Sequence, residues 1–118
     1  DNRAKAFAGS NGSNLIDDFA WYRTNSGNTT HPVGNKSANE LGIFDLSGNA
    51  WEWCWDWKGD YPAGSLTNPR GPALGTNRVI RGGAYHNDVT WVTVDNRGSG
   101  FPWDRNQESG FGFRVVRP

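Results

Sequence analysis

Cys54 is the only cysteine among 118 residues, so the chain closes no disulfide on itself and builds no cysteine-based zinc site. Set among tryptophans, a lone cysteine is expected to act as a small hydrophobe rather than a nucleophile. His31 and His86 are the only imidazoles, and neither lies beside a recognisable nucleophile motif. The adjacent carboxylates Asp17 and Asp18 sit in a polar stretch and take no acid-base role. The segment from Asp45 to Glu52 is different. It combines two carboxylates with the turn-forming Ser47-Gly48-Asn49, and a turn of side-chain and carbonyl oxygens is what a hard cation such as calcium takes. The alternative for the same residues is that Asp45 caps the turn and Glu52 pairs with an arginine, with no ion present.

Trp51, Trp53, Trp55 and Trp57 alternate with Glu52, Cys54 and Asp56, so an extended backbone places all four indoles on one face. Seven Trp, six Phe and three Tyr imply an aromatic core, while sixteen Gly and six Pro imply turns and loops rather than long helices. Lys plus Arg and Asp plus Glu each count 12 with no run of like sign, which argues against nucleic acid or an anionic membrane as partner. No apolar stretch is long enough to span a membrane, and the N-terminus lacks the charged-then-apolar pattern of a signal peptide.

Arg3 to Ala8 is expected to be the tail of a helix ending at Gly9, and Asn14 to Tyr22 has apolar positions without a clear period. Arg78 to Arg81 reads as a strand ending at Gly82-Gly83, and Gly112 to Arg117 as another. Residues 60–77, broken by Pro62, Gly64, Pro69, Gly71, Pro72 and Gly75, read as a surface connection. These features describe one α+β domain over residues 1–118, irregular and loop-rich, with short antiparallel strands.

Several segments in fixed order, among them ELGIFDLSGNAWEW, RVIRGGAY and the closing GFGFR, resemble the formylglycine-generating-enzyme family of C-type-lectin-like domains. The resemblance covers nearly the whole chain and corresponds to the C-terminal part of the family domain. Catalytic members oxidise a substrate cysteine with two cysteines and a copper ion. Here those cysteine positions fall on Asn87 and Val92, after Gly82-Gly83-Ala84-Tyr85. Neither side chain replaces a thiolate as a copper ligand or redox centre, so no copper and no oxidase chemistry are expected. The resemblance also implies a structural calcium site made of the Asp45 and Glu52 side chains with the Gly48 and Ala50 carbonyls.

Half of residues 86–109 are Asn, Asp, Ser, Thr or Gly, interspersed with Trp91, Phe101 and Trp103. Rigid aromatics among small hydrogen-bonding residues are the composition of a binding paratope. This stretch resembles that of the variable proteins diversified by retroelements, a non-catalytic branch of the same fold. That resemblance marks Gly82-Gly83, Val94, Asn96-Arg97, Pro102, Arg105 and Gly112 to Arg114 as framework. It marks His86, Asn87, Asp88, Trp91, Thr93, Asp95, Gly98, Ser99, Gly100, Phe101, Trp103, Asp104, Asn106, Gln107, Glu108 and Ser109 as facing a ligand. The function it implies is display of a surface, secreted, on a cell or on a virion, that recognises a protein or other macromolecule without turnover. Two alternatives stand beside it: an enzyme of the same family that uses other residues or is completed by N-terminal sequence absent here, and a structural subunit whose aromatics bury against a partner chain.

Overall fold

The computed structural model describes residues 5–10, 16–105 and 110–117. A single helical turn, α1 (Ile16–Phe19), is followed by a long irregular stretch and then by four strands: β1 (Trp51–Trp57), β2 (Arg78–Arg81), β3 (Arg97–Gly100) and β4 (Phe111–Gly112). They form one sheet in the order β3-β2-β1-β4. The β1/β2 and β2/β3 pairs are antiparallel, as expected, and the short β4 adds to β1 in parallel.

The expected strand from Gly112 to Arg117 is also shorter than its apolar alternation suggested, because strand pairing ends at Gly112. Past that point Phe113, Val115 and Val116 are exposed, so no partner strand rewards further extension. At the other end, Arg3 and Ala4 lie outside the described residues and Lys5 to Ala8 are not helical. Phe7 and Ser10 instead exchange backbone hydrogen bonds of 3.1 and 3.2 Å around Gly9.

The indoles of β1 divide in two. A Cβ on Gly98 would lie 2.8 Å from Ile80 Cγ1 and 3.4 Å from the Trp51 ring, and one on Gly100 would lie 2.7 Å from the Trp53 ring. Only glycine lets β3 come this close to the indoles of β1 across β2. The register then shifts between Trp53 and Trp57, and beyond the shift Trp55 is 85% exposed while Trp57 is half-buried.

Among the described residues, two apolar clusters hold the domain. Trp51, Ile80 and Ala84, with Trp53, Tyr85 and Phe111 packed against them, line the sheet. Phe7, Ile16, Ala20, Tyr22 and Val92 form the second, under the connections. The clusters meet at Gly83, whose φ of +74° ends β2 and whose missing Cβ would lie 2.6 Å from Val92 Cγ1. The segment that carries the expected ligand-facing residues is thereby seated directly on the core. No helix among the described residues is long and apolar enough to cross a membrane.

Candidate ligand-binding surface

After β2 the chain turns at Ala84 to Asn87, and the turn is fixed by the Asn87 amide: its Oδ1 accepts from Ala84 N at 2.8 Å, while the Asn87 carbonyl accepts from Arg23 N at 2.9 Å. Asn87 is thus turned into the framework rather than toward a ligand. Asp88 caps a single 3-10 turn, Val89–Trp91, by accepting from Thr90 N at 3.0 Å and from the Thr90 hydroxyl at 2.5 Å. Those bonds hold the Asp88 carboxyl below its ordinary value, and the Thr93 hydroxyl is the largest cause of a similar lowering at Asp95. Both carboxylates are ionised and anchor the local backbone.

The 3-10 turn aims Trp91 outward. It is 48% exposed and meets buried Trp51 edge-on, with ring centroids 6.5 Å apart. After β3, Phe101 and Trp103 stack with centroids 5.0 Å apart and planes 17° from parallel, leaving them 46% and 68% exposed. The stacked pair forms an exposed aromatic patch just beyond β3. Ser99 is exposed on β3, and Thr93 and Asp104 are half-buried. His86 is half-buried too, its ring edge-on to Tyr85 and its Nδ1 buried without a partner.

Besides Asn87, two further expected contact positions are corrected. Gly98 and Gly100 face the core, since any side chain there would strike Ile80 or Trp53. Among the expected framework positions, Val94 is 47% exposed, and the apolar anchor of the segment is the fully buried Val92. Asn106, Gln107, Glu108 and Ser109 lie outside the described residues.

Three residues that sequence reasoning did not include belong to the same end of the sheet. The Arg78 guanidinium lies 3.6 Å from the Trp57 ring centroid and 4.8 Å from that of Trp55, and it donates to the Trp55 carbonyl. Arg78 pairs with Trp57 on one side and with Gly100 on the other, so Phe101 starts where this arginine-indole stack ends. The sequence signal was present in the four alternating tryptophans. The register that brings Arg78 between two of them is set by the turn lengths and the bulge, which residue types do not reveal.

The residues that a redox or hydrolytic site would need are placed otherwise. Val92 is enclosed in the core, and Cys54 is half-buried on β1 with its thiol pushed up by burial. The His31 ring stacks on Trp21 at 3.7 Å, and its Nε2 is 2.7 Å from the Ser26 carbonyl. No group of three or more His, Cys, Asp or Glu side chains suited to a metal occurs among the described residues.

The expected calcium residues line a cavity of about 590 Å³ that Phe44, Phe113 and Arg114 also border. Asp45 is buried, its Oδ2 accepts from Gly34 N at 2.7 Å and its Oδ1 has no partner, which suits a cation. Glu52 does not. Arg114 Nε donates to its Oε2 at 2.7 Å and Arg114 Nη2 to its Oε1 at 2.5 Å. The Gly48 carbonyl meanwhile accepts from Ala50 N at 2.9 Å. With Glu52 bound to Arg114, Asp45 and the Gly48 and Ala50 carbonyls remain, fewer oxygens than the six to eight that calcium takes.

Comparison with known proteins agrees with this architecture. Over residues 1–118 the chain matches the sulfatase-modifying factor enzyme 1-like domain. It is 36% identical to chaperone protein LppX of Paenibacillus barcinonensis over 90% of the chain and 40% of that protein. It is 41% identical to the formylglycine-generating enzyme of Streptomyces coelicolor over 48% of the chain and 19% of that enzyme. Among solved structures, Treponema denticola variable protein 1 superposes with a TM-score of 0.86 at 36% identity, over 95% of the chain and 40% of that protein. The chain therefore spans less than half the length of these relatives, and its irregular sheet is of the formylglycine-generating-enzyme, C-type-lectin-like kind. By the match along its whole length, the chain belongs to the sulfatase-modifying factor enzyme 1-like domain family.

Proposed function

We propose that this domain is a non-catalytic binding module whose ligand-facing surface is built by Trp91, Thr93, Asp95, Ser99, Phe101 and Trp103, extended across the sheet end by Trp55 and Arg78. The observation that carries the reading is the exposed Phe101–Trp103 stack, which follows directly on a strand whose glycines are locked against the core. Aromatic and arginine side chains on a rigid frame supply contact area at low conformational cost, which is how protein-binding surfaces gain affinity. The target class is a protein or other macromolecule, and the relationship to a variable protein supports the same reading.

The side chains at the two positions where the resemblance puts the catalytic cysteines support a reading without turnover. Val92 fills a core site and Asn87 spends its amide oxygen on the turn, so neither delivers a thiolate to substrate. The residues where the resemblance places calcium are assigned no part in recognition.

A display library randomised at Trp91, Thr93, Asp95, Ser99, Phe101 and Trp103 and sorted against a panel of unrelated purified proteins tests this reading. Folded members that bind individual targets selectively are the expected result. A library that loses folding at most members, or folds and yields no selective binder, counts against it.

A further inference from the structure

The oxygens around Glu52 are already filled by a positive charge. Four acceptors converge on the Arg114 guanidinium: both carboxylate oxygens of Glu52 at 2.5 and 2.7 Å, and the main-chain carbonyls of Phe44 and Asp45, each 3.1 Å from Nη2. Arg114 lies 62 residues beyond Glu52 and 70 beyond Phe44, so this fork ties the C-terminal tail to the segment that precedes β1. We infer that Arg114 is the built-in cation of this domain: its guanidinium occupies the Glu52 end of the site where the resemblance places calcium, and the domain folds without a metal ion.

The chemistry supports substitution of one cation by the other. A planar guanidinium matches a carboxylate in two parallel hydrogen bonds and keeps its charge at any working pH. The partly buried Glu52 carboxylate in turn holds the Arg114 guanidinium above its usual value, so the guanidinium keeps its charge. Calcium takes six to eight oxygens. With Glu52 occupied, Asp45 Oδ2 bonded to Gly34 N and the Gly48 carbonyl bonded to Ala50 N, the free side-chain acceptor in this set is Asp45 Oδ1 alone. An approaching divalent ion also meets like charge from Arg114.

Melting curves in EDTA and in millimolar calcium, with calcium titration calorimetry on the unaltered protein, decide the matter. The protein is expected to melt at the same temperature in both media and to take up no calcium. Arg114→Gln is expected to melt on the order of 10 °C lower in EDTA, because it leaves Glu52 without its counter-charge. Calcium is expected to recover part of that loss, since Glu52 and Asp45 Oδ1 are then both free. Stoichiometric calcium uptake by the unaltered protein overturns the inference, and so does an Arg114→Gln variant that melts unchanged in EDTA. Should Arg114→Gln fail to fold, Arg114→Lys takes its place, keeping the charge but losing the fork. An intermediate melting temperature in EDTA then supports the inference, and an unchanged one overturns it.

Discussion

Burial raises the Cys54 thiol above its ordinary value, Asp56 and Glu52 push it further in the same direction, and Arg81 opposes them. A raised thiol is neutral near pH 8, and the thiolate is the reactive form. Alkylation of Cys54 at pH 8 is therefore expected to run several-fold slower in the native protein than in the denatured chain. Equal rates would show the thiol to be open and unperturbed. The sign for stability follows: a thiol whose folded value is raised contributes stability lost only as pH climbs past its unfolded value. That Cys54 lies partly buried was legible from its aromatic neighbours. The inward turn of Asn87 was not, because its partner, the amide of Ala84, is left in need of an acceptor only once Gly82 and Gly83 have reversed the chain. The same holds for Glu52, whose partner lies 62 residues away.

At the scale of elements, β2 was readable from Arg78-Val79-Ile80-Arg81, a short β-branched run closed by two glycines. β3 was not, since Arg97-Gly98-Ser99-Gly100 is poor strand sequence by propensity. Packing overrides propensity there: the glycines make room for Ile80, Trp51 and Trp53. Gly98→Val is accordingly expected to cost roughly 1–3 kcal/mol through overpacking. Ser99→Val, one residue on and exposed, is expected to stay within about 0.5 kcal/mol. Chemical denaturation of the two variants separates them, and equal losses would contradict the placement of β3. The shift in register along β1 is a second feature of this scale. It frees Trp55 from the core and leaves it against Arg78, at the sheet end from which Phe101 departs.

Over the whole molecule, the family was legible from motifs in fixed order, since they encode the turn before β1, the end of β2 and the approach to the C-terminus. The boundary between enclosed frame and exposed positions was only half legible. Composition located the segment after Tyr85 correctly as polar and aromatic. It could not separate Gly98 and Gly100, which face the core, from Ser99 between them, nor Val92, which is enclosed, from Val94, which is 47% exposed. The resulting division places exposed, chemically diverse side chains between positions that tolerate no side chain or no loss of one. Such a frame can vary its surface without losing its fold.

Closely related copies of this domain, sequenced from one population and compared between Tyr85 and Gly110, test the account most directly. Replacements concentrated at Trp91, Thr93, Asp95, Ser99, Phe101 and Trp103, with Gly98, Gly100 and Val92 unchanged, are the result it predicts. Replacements spread evenly over exposed and enclosed positions alike, or an invariant surface beside a drifting frame, would contradict it.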